Sequence, residues 1–276
     1  MARHLVTVGS ARYLYGPRNP IAEDPGLEAA FWAFDQGLGG LLMGVLPSLT
    51  ASEAYQGRER MVTAFMKYFE AGHIKDGAQI SRDRVRLEEQ YGMNKQMIAR
   101  SALSFIFASI VNTTTATFWM VLRLFANKKL LSIARREVAE ALNASTEREG
   151  SKRLSIGILK NSLSGEMMRM KFNPQRFLAP KAQSGGIHPA AFRGFGGGKT
   201  LCPGRRFATN EILLFAALIV HGVDMSSPDG RDIRVPRKND RVMPVHILEP
   251  YPRDRPKVLF RLRDEMKSLR DLTIVI

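Results

Sequence analysis

The chain has a single cysteine, Cys202, which excludes an internal disulfide and any zinc site built from several thiolates. Histidine is also scarce, and the five, at positions 4, 73, 188, 221 and 246, show no metal-ligand spacing. His221, near the end of an apolar segment, reads as a capping or packing residue. Met1-Ala-Arg-His-Leu-Val lacks the apolar run and small-residue cleavage site of an export signal, so none is expected. There is no internal repeat. Acidic residues are outnumbered 26 to 41 by basic ones, giving the 276 residues a formal charge of +15. Such a surface suits nucleic acid, an anionic membrane or an acidic protein. The basic residues are scattered, and no zinc-finger, RRM or helix-turn-helix signature is present, so nucleic acid is not expected as a partner. With 45% hydrophobic and 24% charged residues, the chain is neither collagenous nor disordered.

What is present is mostly helical periodicity. Segment 20–49 reads as a short helix followed by an apolar, glycine-rich loop. Thr50-Ala-Ser-Glu53 has the form of a capping box ahead of a helix over 52–71, in which Met61, Ala64, Phe65 and Tyr68 recur at helical spacing. A further helix is expected over 84–98, with an interruption at Gly92. Residues 102–126 are apolar nearly all round. That run is long enough to span a bilayer, but Asn112, Thr113, Thr114, Thr115 and Thr117 near its middle favour a buried core helix beside a polar pocket. An amphipathic helix over 128–142 follows, then a stretch without pattern over 143–169; Met167, Met168 and Met170, at its end and just beyond, read as packing residues. A strongly apolar helix is expected over 205–221. Strands are expected only near the carboxyl end, over 233–235, 242–248 and 257–262.

The glycine-rich segment Phe192-Arg-Gly-Phe-Gly-Gly-Gly-Lys-Thr-Leu-Cys-Pro-Gly-Arg-Arg-Phe-Ala208 carries the chemistry. Gly198-Lys199-Thr200 imitates the end of a phosphate loop, but that motif needs glycine where Arg193 stands, and Cys202-Pro203-Gly204 separates the Lys from the helix. A second reading is a glycine hinge with Cys202 as a small buried hydrophobe. A third follows from spacing. Cys202 lies just before an apolar helix, whose positive dipole end favours an anionic sulfur, and a soft sulfur ligand suits iron. Glycines at 198 and 204 remove side chains where something flat must lie against the loop. Phe195 could pack beside the sulfur and limit water access.

The pattern Phe195-x-x-Gly198-x-x-x-Cys202-x-Gly204, extended by Pro203 and Arg205-x-Phe207-Ala208, resembles the haem-binding signature of the cytochrome P-450 family, the haem-thiolate monooxygenases. Its wording is most similar to fungal members related to the sterol 7α-hydroxylase and prostacyclin-synthase branch. The resemblance implies haem as cofactor, with Cys202 as the iron ligand and Phe195, Gly198 and Gly204 in the haem-binding loop. Thr200 stands where most members carry a cationic partner for a haem propionate, and Arg193 is the candidate to supply that charge. Phe172-Asn-Pro-Gln-Arg-Phe177 resembles the loop before the signature. Asn112-Thr113, within Ala108 to Trp119, resembles the oxygen-activating helix. Thr113 stands at the hydroxyl that helps deliver protons to dioxygen, while Ser109 and Ile110 replace the commoner Ala and Gly. A Thr bonded back to the preceding helical turn is the plainer alternative. Residues 28–98 resemble the helices that roof the substrate pocket.

The resemblance implies a mainly α, incomplete cytochrome P-450 fold with a small β-region near the C-terminus, in one truncated domain over 1–276. Its parts are 14–142 (roof and oxygen-activating helices), 143–171 (an irregular junction with a deletion) and 172–262 (haem-thiolate loop, helix and strands). The family's N-terminal half-domain and membrane anchor have no counterpart. Its Glu-x-x-Arg helix, which should lie well upstream of the 172–177 loop, finds only Glu166-Met-Met-Arg169. The implied activity is insertion of oxygen from dioxygen into a hydrophobic, sterol- or lipid-like substrate. Electrons would come from an NADPH-dependent reductase docked near Lys199, Arg205 and Arg206, at the endoplasmic reticulum membrane. A catalytically inactive haem-binding fragment of the family is the alternative.

Overall fold

The structure, a computed structural model, describes residues 2–149, 153–155, 194–240, 246–264 and 273–275. Arg193, the 172–177 loop, Glu166 and Arg169 lie outside the described residues, as do 242–245 of the expected strand 242–248. The fold is mainly α, as expected, and divides into two compact units: Met1–Thr115 with Asp240–Leu248, and Ala116–Asn239 with Glu249–Ile276.

The first unit opens with helix α1 (Ala2–Tyr15), which the sequence pattern does not announce. Its buried face mixes Val6, Ala11 and Leu14 with Thr7 and Ser10, while Leu5, Val8 and Tyr13 are exposed. Apolar residues therefore lie on both sides and no one-sided periodicity is left to read. Thr7 is buried because it accepts from the Trp32 indole (3.2 Å). Helix α2 (Pro20–Glu23) has proline at its first position and is capped by Asn19, whose side chain accepts from Ala22 N–H at 3.1 Å. The expected short helix and loop over 20–49 resolve into α2, α3 (Gly26–Gln36), α4 (Leu38–Met43) and the single turn α5 (Pro47–Thr50).

Helix α6 (Ser52–Glu70) matches its expected span, but the capping box does not form. Thr50 ends the preceding helical turn, so its hydroxyl bonds back to the carbonyls of Val45 (2.7 Å) and Leu46 (3.3 Å). Helices α3 and α6 approach closely because Gly57 has no side chain: a Cβ there would lie 2.4 Å from the Ala30 carbonyl oxygen. The interruption at Gly92 is a full break. Helix α7 (Gln79–Gln90) ends with Gly92 at φ +76°. Gly92 N–H bonds to Glu89 and Met93 N–H to Glu88, the paired closure of a Schellman cap. Helix α8 (Lys95–Phe125) then starts afresh under an Asn94 cap to Met97 N–H at 2.9 Å.

The core of the first unit is aromatic: Tyr15, Phe31, Trp32, Phe65 and Tyr68 pack with Met61, Leu103, Ile106 and Ile110. Tyr15 meets Phe65 edge-on with ring centroids 5.0 Å apart. Both buried phenols are satisfied. Tyr68 donates to the carbonyls of Tyr15 (2.6 Å) and His73 (3.1 Å), and Tyr15 donates to Ala102 (3.3 Å). Burial pushes both hydroxyls well above their ordinary pKa.

The second unit is built on α9 (Lys128–Glu149), capped by Asn127, and α10 (Arg205–Gly222), packed through Val138, Ala134, Ala217 and Val220. Helix α9 runs past the expected end at 142, since no glycine or proline intervenes before Gly150. Arg135 holds the carboxyl end of α10, donating to Val220 (3.1 Å), Val223 (3.0 Å) and Asp224 (2.7 Å). Desolvation raises the Asp224 pKa, but the Arg135 hydrogen bond and charge, aided by Arg263 and Arg261, outweigh it, and the carboxyl stays below its usual range.

A short strand β1 (Arg153–Ser155) pairs in parallel with β4 (Thr273–Val275), and β2 (Val223–Ser226) pairs antiparallel with β3 (Leu259–Leu262). β3 meets the expectation for 257–262, whereas β2 escapes the sequence reading because it continues from α10 without a turn. Residues 233–235, expected as a strand, are irregular; Pro236 beside them offers no backbone donor for a ladder.

Candidate functional site

The loop before α10 is shaped by its own backbone. A 3₁₀ turn over Gly198–Thr200 reverses the chain, with Gly196 and Gly198 at φ +77° and +56°. A Cβ on Gly196 would sit 2.8 Å from the Thr200 carbonyl oxygen, so glycine is required there. Cys202 N–H donates to the Phe195 carbonyl at 2.8 Å, closing the loop and fixing Phe195 to the cysteine. Arg205 turns back to donate to the Cys202 carbonyl at 3.1 Å, and Gly204 caps α10. Cys202 itself is a half-buried free thiol. Gly197 and Gly198 face open space, where a Cβ would meet no atom within 4 Å, and Gly204 lies against the cysteine, with its Cβ position 3.8 Å from Sγ. The structure thus brings Phe195 and Gly204 against Cys202 and places Gly198 on the turn between Phe195 and the cysteine. Lys199 and Arg206 are exposed on the same stretch. Among the described residues no group of His, Cys, Asp and Glu could hold a metal together, so a metal here would rest on one sulfur.

Asn112 and Thr113 belong to the other unit, on α8. Thr113, Thr114, Thr115 and Thr117 are all buried. Thr115 bonds back to the Val111 carbonyl (3.2 Å), the ordinary fate of a helical threonine. Thr113 has no such bond among the described residues, and the Thr114 and Thr117 hydroxyls are buried without a partner there. Asn112 is exposed, and its Oδ1 accepts from Ile247 N–H at 2.8 Å. The neighbouring His246 turns Nε2 to within 3.5 Å of the buried Asp35 on α3. Sequence reasoning passed over Asp35 and His246. The available signal was a lone carboxylate inside Phe31-Trp-Ala-Phe-Asp35, an apolar stretch where a charge needs a partner.

The cytochrome P450 family model matches residues 169–249, a span that includes the cysteine loop. Two fungal relatives align over nearly the whole chain. A cytochrome P450 monooxygenase of Hypoxylon pulicicidum is 24% identical over 89% of this chain and 59% of its own length. Another, of Gibberella zeae, is 26% identical over 83% of this chain and 55% of its own. The chain is similar to cytochrome P450 proteins over the cysteine loop and along most of its length. A more local match, 35% identical over 31% of this chain and 16% of the relative, is to protopine 6-monooxygenase of Papaver somniferum. Among solved structures, retinoic acid-bound cyanobacterial CYP120A1 shares the P450 fold with a TM-score of 0.69 at 17% identity, covering 95% of this chain and 68% of that one. The chain spans little more than half the length of the fungal relatives. Their alignments run over 306 and 290 positions, more than this chain contributes, so both carry positions that have no counterpart here.

The family's cofactor is haem, and the residues present fit it. A free, partly accessible thiol stands in a loop whose Gly197 and Gly198 leave open space, so Cys202 would hold the iron and the glycines would leave room for the cofactor.

Proposed function

We propose that this chain is a haem-thiolate monooxygenase acting on a hydrophobic, sterol- or lipid-like substrate. The observation that carries the reading is the closed Cys202 loop, which holds one soft sulfur at the edge of a side-chain-free face. Cys202 Sγ would be the iron ligand, with Gly198 and Gly204 leaving room for the ring. Phe195, tied to Cys202 through its carbonyl, would shield the sulfur from water. Arg193 would meet a propionate. When bound, the haem supplies dioxygen activation, in which thiolate donation favours O–O cleavage. Thr113 would hold and pass a proton at Oγ1, a task suited to a buried hydroxyl not committed to its own helix. Asn112 would stand beside it.

The same reading takes 1–276 as one P450 domain shortened internally near 143–171, and Lys199, Arg205 and Arg206 as the basic face that docks an acidic, NADPH-dependent reductase. It also includes residence at the endoplasmic reticulum membrane. Leu42, Met43, Val45, Leu46 and Leu49 are 62–75% exposed, within a run from Gln36 to Ser52 that has no charged residue. Leu46, at φ 40°, is the one non-glycine residue with positive φ among those described. Aliphatic side chains displayed on a constrained turn suit acyl chains. In co-sedimentation with phosphatidylcholine–phosphatidylserine vesicles, the combined changes Leu42→Ser, Leu46→Ser and Leu49→Ser should lower binding about tenfold; unaltered binding would remove this contact.

The deciding experiment is expression with haem supplied, followed by the spectrum of the reduced, carbon monoxide-treated protein. A thiolate-type Soret band is expected, with turnover of an apolar substrate panel once a reductase is added. Failure to take up haem would leave the alternative, a non-catalytic fragment of the family.

A further inference from the structure

Residues 246–248 belong to the first unit, and the chain on either side of 240–248 is closed by Asn239 N–H to Glu249 (2.7 Å) and Tyr251 N–H to Arg237 (3.2 Å). Within the first unit, neighbouring residues of this segment engage two different helices. Ile247 N–H is received by Asn112 Oδ1 on α8 (2.8 Å), and the His246 ring faces Asp35 on α3 (3.5 Å). His246 also donates from Nδ1 to the Ile247 carbonyl at 3.0 Å, which turns Nε2 toward the carboxylate. Asp35 is 2% exposed and His246 17%, so this pair is shielded from solvent as the chain's surface ion pairs are not.

We propose that Asn112 and Asp35 are positioning residues that form a two-point clasp on segment 246–248, tying α3 to α8 through it. Asn112 acts through its side-chain oxygen, as a backbone acceptor, and not as a donor of protons. The clasp stands on geometry, one hydrogen bond at Asn112 and one 3.5 Å approach of His246 Nε2 to the Asp35 carboxylate; its bearing on catalysis rests on the haem-thiolate reading, because Asn112 directly precedes Thr113. An acceptor oxygen is all the clasp requires at position 112, so aspartate should serve and alanine should not.

Hydrogen exchange of the full chain reads this directly. Asn112→Ala should speed exchange of the Ile247 amide about tenfold, while Asn112→Asp keeps the wild-type rate. Asp35→Asn should speed exchange of the same amide by a smaller factor, the mark of two coupled points. An Ile247 amide that exchanges alike in wild type and Asn112→Ala would overturn the clasp, and so would an Asn112→Asp chain that behaves like the alanine variant. Asn112 is exposed, so its two variants should fold, and Asp35→Asn keeps the size and shape of the buried side chain. Because the measurement needs no haem, a chain that fails to bind haem but shows this pattern would sink the monooxygenase reading and leave the clasp standing.

Discussion

The two units solve the problem of polar groups in opposite ways. The first encloses an aromatic core and satisfies its buried phenols internally, Tyr68 to Tyr15 and His73, Tyr15 to Ala102. The second has an aliphatic core over α9 and α10, and places its cysteine loop and all of β3 at the surface. Closure in the first buries groups that would be costly to unpair, whereas the loop of the second spends backbone hydrogen bonds on holding one sulfur available. Stability and chemistry are therefore separable here, and substitutions should divide along that line.

The largest effect belongs to the second unit and should leave stability alone. Cys202→Ser should abolish the thiolate-type carbon monoxide spectrum entirely while shifting unfolding free energy by only about 0.5 kcal/mol or less. A retained spectrum would show that another group ligates the iron. Phe65→Ala should do the converse. Phe65 is fully buried among Tyr15, Tyr68 and Phe69, so denaturant unfolding should show a loss of about 3–5 kcal/mol in the first unit. A loss under about 1 kcal/mol would mean that the core is looser than its packing implies.

Smaller again is Tyr68→Phe, which strips the donor from two carbonyls and should cost about 1 kcal/mol. The tyrosines also set an alkaline limit. Their folded pKa values lie above the ordinary 10.0, so the neutral phenols stabilise the unit fully below pH 10. That stability is lost as the pH rises beyond it. Thermal melts should therefore fall steeply above pH 10 in wild type and less steeply in Tyr68→Phe; parallel profiles would refute the assignment.

Helices with a one-sided pattern and clear stops were legible in the sequence, as α6 and α10 show, and the break at Gly92 was visible because glycine is the residue that a left-handed cap needs. Helix α1 was not legible, since Thr7 and Ser10 occupy core positions and Leu5 and Val8 face outward. The capping box at Thr50 misled because the pattern does not record that Thr50 already belongs to another helical turn. At the candidate site, Cys202 and its glycines were legible as one loop because they are contiguous, and the resemblance to the haem-binding signature gave them their expected role. Asp35, Asn112 and His246 could not, because their association depends on where a distant return of the chain lands.

The approach of α6 to α3 at Gly57 has a mechanical side. With a backbone carbonyl resting where a side chain would be, the two helices have no compressible layer between them at Gly57, and this point favours their tilting together. Compliance is left to the turn that joins them, where Gly39 and Gly44 have no neighbouring atoms at their Cβ positions. Any breathing of this part of the protein is thereby channelled into residues 37–50, the same stretch that carries its most exposed aliphatic side chains.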